Sequence, residues 1–334
     1  MEKSVIIIGA GIAGLSAGCY GQMNGYRTSI FEMHDKTGGV CTGWKRKGYT
    51  IDGCVHWLIG TSPANSFHHL WEELGVAQAW RVFDHDRFTS IEGEEGRVFT
   101  LYADIDRLEQ HMKELAPEDR DVIAEFIKGI RTCTRISMPV DKAPELYTPI
   151  DGLTMMVTMF PALRFMKKWG KISTLDFTRR FKNKFLREAF GASFGGDFDR
   201  IPAMFMMMTL AWLHQKAAGY LVGGGLALSG AIERRYLSLG GELHCKSPVV
   251  KILVENDRAV GVRLSDGAEY RADIVISAAD GHTTIFGMLD GKYTDEKIRG
   301  YYENPFLFPP LIYIGLGVAR PFDDVPPSVV GMSF

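Results

Sequence analysis

The chain has 334 residues, 46% of them apolar and 23% charged, with a formal net charge of −2. The length suits about two domains, and the composition is globular rather than disordered or fibrous. So even a charge excludes a molecule built as a whole to coat a polyanion, and the five scattered cysteines, with no C-x-x-C among them, fit a reducing, cytosolic compartment.

Val5 to Tyr20 is apolar enough to pass for a signal-peptide core. However, the residues before it offer only Lys3 beside Glu2, and glycines recur where a signal would place leucines. Ser4 to Ile8 is a short β-branched run of the kind buried on both faces of a parallel sheet. Gly9-Ala10-Gly11-Ile12-Ala13-Gly14 follows, then a helical pattern through Met23, a stop at Asn24-Gly25, and a second strand over Thr28 to Phe31. Strand, glycine turn, helix, strand is a βαβ unit. Gly9 allows the tight turn, Gly11 leaves room for a pyrophosphate, and Gly14 lets helix and strand pack closely, so that the N–H groups opening the helix face the phosphates. Glu32 ends the second strand 18 residues after Gly14, close to the roughly 20 expected of a ribose-binding acid. Its carboxylate would repel the 2′-phosphate of NADP. Thr37-Gly38-Gly39 comes next, where a simple NAD domain needs no paired glycines, and predicts a second close backbone approach to the same dinucleotide.

The middle, from about Ser66 to Gly219, reads as mostly helical. Leu70 to Leu74, Asp106 to Leu115 and Pro117 to Arg131 carry helical patterns, and methionines cluster at 155–166 and 204–208. These methionines suit either helix core or the adaptable wall of a tunnel for a long apolar substrate. Between Arg164 and Arg187, nine basic residues face a single acid, Asp176, with Phe165, Trp169, Phe177, Phe181 and Phe185 interleaved. That pattern fits either an anionic membrane surface or a solvated basic face; nucleic acid is disfavoured because no nucleic-acid module is present. Strand order then returns. The pattern predicts a helix over Leu226 to Leu239, a strand over Glu242 to Cys245, a hairpin of Val249 to Glu255 and Ala259 to Leu264 around Asn256-Asp257, and a buried strand over Asp273 to Ser277. Leu311 to Ala319 reads as a further strand and Pro321 to Ser328 as a loop. The fold class is therefore α/β, with a discontinuous Rossmann-like domain and an inserted, largely helical α+β domain. The expected bounds are 1–80 and 219–290 for the nucleotide domain, 81–218 for the insertion, and 291–334 for the start of a return into the substrate domain.

VIIIGAGIAGLSAG, FEMHDKTGG and GYTIDGCVHWL together resemble the FAD-binding start of the phytoene desaturase family, which includes carotenoid desaturases, carotenoid isomerases and retinol saturase and is related to the amine oxidase flavoproteins. A second block, GYLVGGGLALSGAIERRYLSLGGEL followed by VVKILVENDRAVGVRLSDGAEYRADIVISAAD, is similar to the later part of the same domain. The resemblance implies FAD as cofactor and an apolar, isoprenoid-like substrate oxidised or reduced at C–C bonds by hydride exchange with the flavin; an amine-oxidase-like activity is the alternative. It implies that Gly9, Ala10, Gly11, Ile12, Ala13 and Gly14 line the pyrophosphate. Glu32 and the adjoining Met33 would serve the adenosine ribose, and Gly38, Gly39 and Val40 the phosphates and ribityl chain. Val249 would offer backbone to adenine, Ala278 would lie beside the nucleotide, and Asp52, Gly53 and His56 would lie near the flavin or its mouth. Where the family often has arginine after the paired glycines, Val40-Cys41 stands here. Relatives run well past Phe334 to a late glycine-containing segment that packs on the flavin, so C-terminal truncation is expected, with a non-catalytic flavin-binding fragment as its extreme case.

Cys41, Cys54, His56, His68, His69 and His85 lack the close spacing of a zinc site, so no metal is expected. His56 reads either as a buried histidine sealed by hydrogen bonds or as a flavin-side group. A redox pair of Cys41 with Cys54 is disfavoured, because disulfide-reducing flavoproteins place the pair close in sequence. No residue stands out as a catalytic base. The expected setting is cytoplasmic, with peripheral contact to the inner face of a membrane through 164–187.

Overall fold

A computed structural model describes residues 2–78, 81–140, 142–193, 201–303, 305, 314–321, 323–324 and 330–333. The chain divides into two compact units. The first comprises Met1–Val55, Leu70–Arg81 and Leu221–Gly317, and the second His56–His69, Val82–Tyr220 and Val318–Phe334.

The first unit is built on β1 (Ser4–Ile8), α1 (Ile12–Met23) and β2 (Arg27–Phe31). β1 pairs in parallel with β2 on one side and with Ile274–Ser277 on the other, and Glu242–His244 extends the sheet beyond β2. Alternation along β1 sorts its side chains between two cores. Ile6 and Ile8, with Phe31, pack on Ile252, Val262 and Leu264 of an antiparallel three-stranded sheet. Ile7 is in register with Ile30, whose side chain reaches toward α1 at Gly18. Tyr236, from the helix Gly224–Ser238, closes that side. It is fully buried, and its single hydroxyl proton is shared between the Thr28 and Glu242 carbonyls at 2.9 and 3.0 Å, so a large polar ring is buried without an orphaned hydroxyl. The hairpin Val249–Glu255/Arg258–Leu264 turns on Asn256 and Asp257, both at positive φ (50° and 58°), a geometry these residue types tolerate. Among the described residues, Ile274–Ser277 is the sheet's outer strand, and Ile274 and Ile276 are exposed along it.

Two further strands, β3 (Gly43–Arg46) and β4 (Tyr49–Asp52), form a hairpin with Lys47 and Gly48 at positive φ in the turn. The sequence pattern did not suggest it, since its strands carry no run of alternating apolar residues.

The second unit holds the larger apolar core. Helices Ile105–Leu115, Arg120–Cys133, Lys184–Ala192 and Ala203–His214 pack with the hairpin Arg87–Glu92/Val98–Tyr102. Buried Asp119 accepts from the Lys182 and Asn183 backbone N–H groups at 2.8 and 2.9 Å, tying the 120s helix to the chain 63 and 64 residues on. Of the methionines, Met206 and Met207 are core, whereas Met156 and Met166 are exposed.

As expected of a largely helical α+β insertion, helices dominate, but the insertion also contains the 87–102 hairpin and a small sheet of Leu58–Ile59, Ala218–Leu221 and Val82–Phe83. Two expectations need correction. Residues 56–69 group with the second unit and 291–317 with the first. In the latter segment Tyr302 packs its ring on His282 and Phe286, while Gly315 and Gly317 lie close against Ile51 and Tyr49. The strand expected over Leu311 to Ala319 is absent over 314–319; residues 311–313, and 325–328 of the expected loop, lie outside the described residues.

Candidate dinucleotide site

β1 delivers the chain to Gly9, which adopts φ 96° and donates its N–H to the Phe31 carbonyl at 2.8 Å. A side chain at Gly9 would meet the Ala278 backbone, and Ala278 itself donates to the Ile8 carbonyl at 2.9 Å. One turn later, a Cβ on Gly14 would lie 1.9 Å from the Gly9 oxygen. This contact is the close approach of helix and strand that the spacing predicts. α1 begins at Gly11 with no side-chain cap and no acid in its first turn, so the N–H groups of Ile12, Ala13 and Gly14 are left as the kind of unmatched donors that hold an anion at a helix N-terminus.

The second glycine segment folds against the first. Gly38 donates to the Ala10 carbonyl at 2.9 Å, Gly11 and Gly38 form an isolated parallel bridge, and a Cβ on Gly39 (φ 57°) would stand 3.2 Å from the Gly11 Cα. Two stretches of backbone without side chains thus line one cradle. Glu32 is buried beside it. One carboxylate oxygen accepts from the Ala10 N–H at 2.6 Å and the other from the His34 N–H at 2.9 Å. Each oxygen has a second lone pair, so the carboxylate can still receive ribose hydroxyls. These features fit a dinucleotide.

The remaining candidates are more dispersed. Met33 and Val40 are 63% and 91% exposed. Gly53 is exposed, and Val249 is half-buried opposite Leu264. His56 is exposed in the second unit, its ring 6.2 Å from Trp57. The reading of His56 as a sealed core histidine is therefore overturned.

Sequence reasoning missed how the helix Gly224–Ser238 supports the glycine loops. Thr37 donates its hydroxyl to Glu233 at 2.7 Å, and a Cβ on Gly38 would stand 2.6 Å from the Cys41 carbonyl oxygen and 3.1 Å from the Ser229 Oγ. One Asp52 oxygen accepts from the backbone N–H groups of Cys54 and Gly225, each at 3.2 Å; its other oxygen is buried without a partner among the described residues. The glycine run Gly223-Gly224-Gly225 was the available signal. The hairpin also has an unexpected result: it brings Cys41 and Cys54 together. Burial first, then the neighbouring Cys54 thiol and Asp52 carboxylate, push the Cys41 thiol up to about 12.

The basic stretch is corrected too. Phe165, Trp169, Phe177 and Phe181 are buried in the second unit's core, so the interleaved aromatics serve packing, while Arg164, Lys167 and Lys171 remain exposed.

The flavin containing amine oxidoreductase family matches residues 12–329, and the chain belongs to that family. It is similar to a neurosporene-forming phytoene desaturase of Rhodobacter capsulatus, 26% identical over 96% of this chain and 61% of the relative. It is also similar to an all-trans-retinol 13,14-reductase of Danio rerio, 26% identical over 83% of this chain and 47% of the relative. The chain thus spans about three fifths or less of the length of these relatives. In fold it is similar to a crystal structure of a Pyrococcus furiosus protein, with a TM-score of 0.58 and 19% identity over 92% of this chain and 66% of that one. A putrescine oxidase structure aligns with a TM-score of 0.53 and 16% identity over 85% of this chain and 59% of that one.

Proposed function

We propose that the chain supplies the dinucleotide-binding unit and a substrate unit of an FAD-dependent oxidoreductase that acts on C–C bonds of an apolar, isoprenoid-like substrate. The observation that carries this reading is the double glycine cradle closed by the buried Glu32 carboxylate. Names of similar proteins, which print phytoene and retinol, support the substrate class. Gly9 to Gly14 and Gly38-Gly39 would hold the pyrophosphate on backbone N–H groups, Glu32 the adenosine ribose, and the Val249 backbone the adenine. Bound there, the flavin would accept a hydride from, or return one to, a substrate carbon. The protein's part is to orient the cofactor and keep its phosphates matched.

Titration of the purified chain with FAD, followed by visible absorbance and flavin fluorescence, tests this directly. Saturable binding, with preference over NAD, is expected; none at any FAD concentration would overturn it. Polyenes, not primary amines, should then bleach the bound flavin anaerobically; the opposite result would select the amine-oxidase-like alternative. Glu32→Gln keeps the shape but removes the charge that receives the Ala10 and His34 N–H groups. Charge-assisted hydrogen bonds contribute about 1.5–3 kcal/mol, so FAD affinity should fall roughly tenfold to a hundredfold. An unchanged Kd would remove Glu32 from the site.

A membrane setting is proposed as well, centred on the helix that precedes the 164–187 stripe and using only the exposed cations at that stripe's start. The helix Pro149–Thr158 buries none of its residues, yet Ile150 and Val157 are 76% and 67% exposed, and Leu153, Met156, Phe160 and Leu163 are exposed beside them. Lys142 neutralises Asp151 at 2.7 Å, and Arg164, Lys167 and Lys171 follow. A large apolar patch with a cationic flank suits the interface of an anionic bilayer on the cytoplasmic side, from which an apolar substrate could be drawn. Among the described residues no helix is long and apolar enough to cross a membrane. Flotation with vesicles rich in phosphatidylserine should recover the chain, and a Leu153→Asp/Val157→Asp variant should bind at least about tenfold less, since each buried aliphatic side chain contributes about 1.5–3 kcal/mol. Equal flotation of both proteins would refute the patch.

A further inference from the structure

The pairing of β3 with β4 follows one register: Gly43 opposite Asp52, Trp44 opposite Ile51, Lys45 opposite Thr50 and Arg46 opposite Tyr49. The ladder continues past the strands, because Gly53 donates its N–H to the Thr42 carbonyl at 3.1 Å. Extended one step further, the same register would set Cys41 opposite Cys54, in a non-hydrogen-bonded position after the Thr42/Gly53 hydrogen bond. In such positions side chains share a face and Cα atoms are typically about 4.5 Å apart, within the span a disulfide accepts. In keeping with this, the Cys54 thiol is, after burial, among the groups that push the Cys41 thiol up.

The two thiols differ in access: Cys54 is exposed, whereas Cys41 is buried. Cys41 also belongs to the second glycine loop, donating its N–H to the Gly38 carbonyl at 3.0 Å. Of the other three cysteines, Cys19 and Cys133 are buried, and the Cys19 thiol donates weakly to the Ile232 carbonyl.

We propose that Cys41 and Cys54 form a thiol–disulfide site at the turn of the second glycine loop, oxidised by low-molecular-weight disulfides such as glutathione disulfide. Cys54, ionised, attacks one sulfur of the small disulfide. A Cys54–glutathione bond forms and one glutathione thiolate leaves. Cys41 gives up its proton and attacks the Cys54 sulfur. The Cys41–Cys54 bond forms and the second glutathione thiolate leaves. Two protein thiols are oxidised, one small disulfide is reduced to two thiols, and the two protons pass to the leaving thiolates. Access dictates the order: the exposed thiol meets the oxidant and the buried one resolves the mixed disulfide.

The linkage stands apart from the flavin reading and is tested without cofactor. The full chain, free of FAD, is equilibrated in a glutathione redox buffer, quenched with an alkylating agent and mapped as peptides without reduction. The expected product is a single crosslink between the peptides that carry Cys41 and Cys54, reversed by dithiothreitol. A Cys41→Ser chain should stop at glutathione on Cys54, and a Cys54→Ser chain should leave Cys41 unmodified. Glutathione retained on Cys54 while Cys41 is still present, or a crosslink to Cys19, Cys133 or Cys245, would overturn the proposal. Failure of the flavin reading would appear instead in the FAD titration, with this map unchanged.

Discussion

Replacing Gly14 with valine is expected to cost the first unit both stability and its dinucleotide. The Cβ alone would stand 1.9 Å from the Gly9 carbonyl oxygen and 3.1 Å from its carbon. Both are backbone atoms at the end of β1, where no flexible side chain can yield. The helix must therefore move off the strand. Overpacking of this kind costs about 1–3 kcal/mol or more, and the shift also displaces the N–H groups of Ile12, Ala13 and Gly14 that face the cradle. FAD affinity should fall by at least about tenfold, the equivalent of roughly 1.4 kcal/mol, and the melting temperature should drop. Gly25→Ala is the matched control. Gly25 has positive φ (78°) but open space around its Cβ position, so only backbone strain is added. If the two variants melted alike and bound FAD alike, the close approach at Gly14 would not matter.

In the second unit, Phe177→Ala should give the largest loss of stability. Phe177 is fully buried, and its ring lies 5.5 Å from Phe126, 5.6 Å from Trp169, 5.5 Å from Phe181 and 5.8 Å from Phe190. Neighbours on four sides, each held by its own contacts, cannot collapse into the vacated space, so the cost belongs near the upper end for such truncations, about 3–5 kcal/mol. For a unit of this size that corresponds to a fall in melting temperature of roughly 6–20 °C. Phe160→Ala, at a 64% exposed position, should change little in solution. Thermal unfolding of the two variants side by side decides the matter. A Phe177→Ala protein no less stable than Phe160→Ala would mean that the aromatic cluster contributes nothing.

What could be read directly from the sequence was local. Gly9 to Gly14 between two β-branched runs dictates its own turn, and Asn256-Asp257 between apolar runs dictates a hairpin. In both cases the residue types that permit positive φ or close approach are adjacent in the chain. The helices 105–115 and 120–133 were similarly plain, because Pro117 and the apolar spacing mark an end and the faces. Side-chain direction over longer distances was not legible. Phe165, Trp169, Phe177 and Phe181 alternate with cations whether they face lipid or core, and only the packing of the 120s and 200s helices sends them inward. The helix 149–158 illustrates the converse: its methionines suited core, yet among the described residues none of the helix is buried. The juxtaposition of Cys41 and Cys54 depended on a hairpin whose only local cue was Lys47-Gly48. His56 shows the same gap, since flanking apolar residues implied burial that the loop does not provide.

The outer strand Ile274–Ser277 has a consequence for handling and for survival in the cell. Among the described residues one edge of this strand pairs with no other strand, its isoleucines are exposed, and no lysine or proline lies within it to blunt the edge. Such an edge is a template on which another extended chain can add itself. With a net charge near zero at neutral pH, little long-range repulsion keeps copies apart. Colloidal behaviour is thereby coupled to concentration: dilute protein stays dispersed, while crowded or freshly synthesised chains meet edge to edge. The strand that carries Ala278 to the dinucleotide loop is therefore also the one that must be shielded if the protein is to remain in solution.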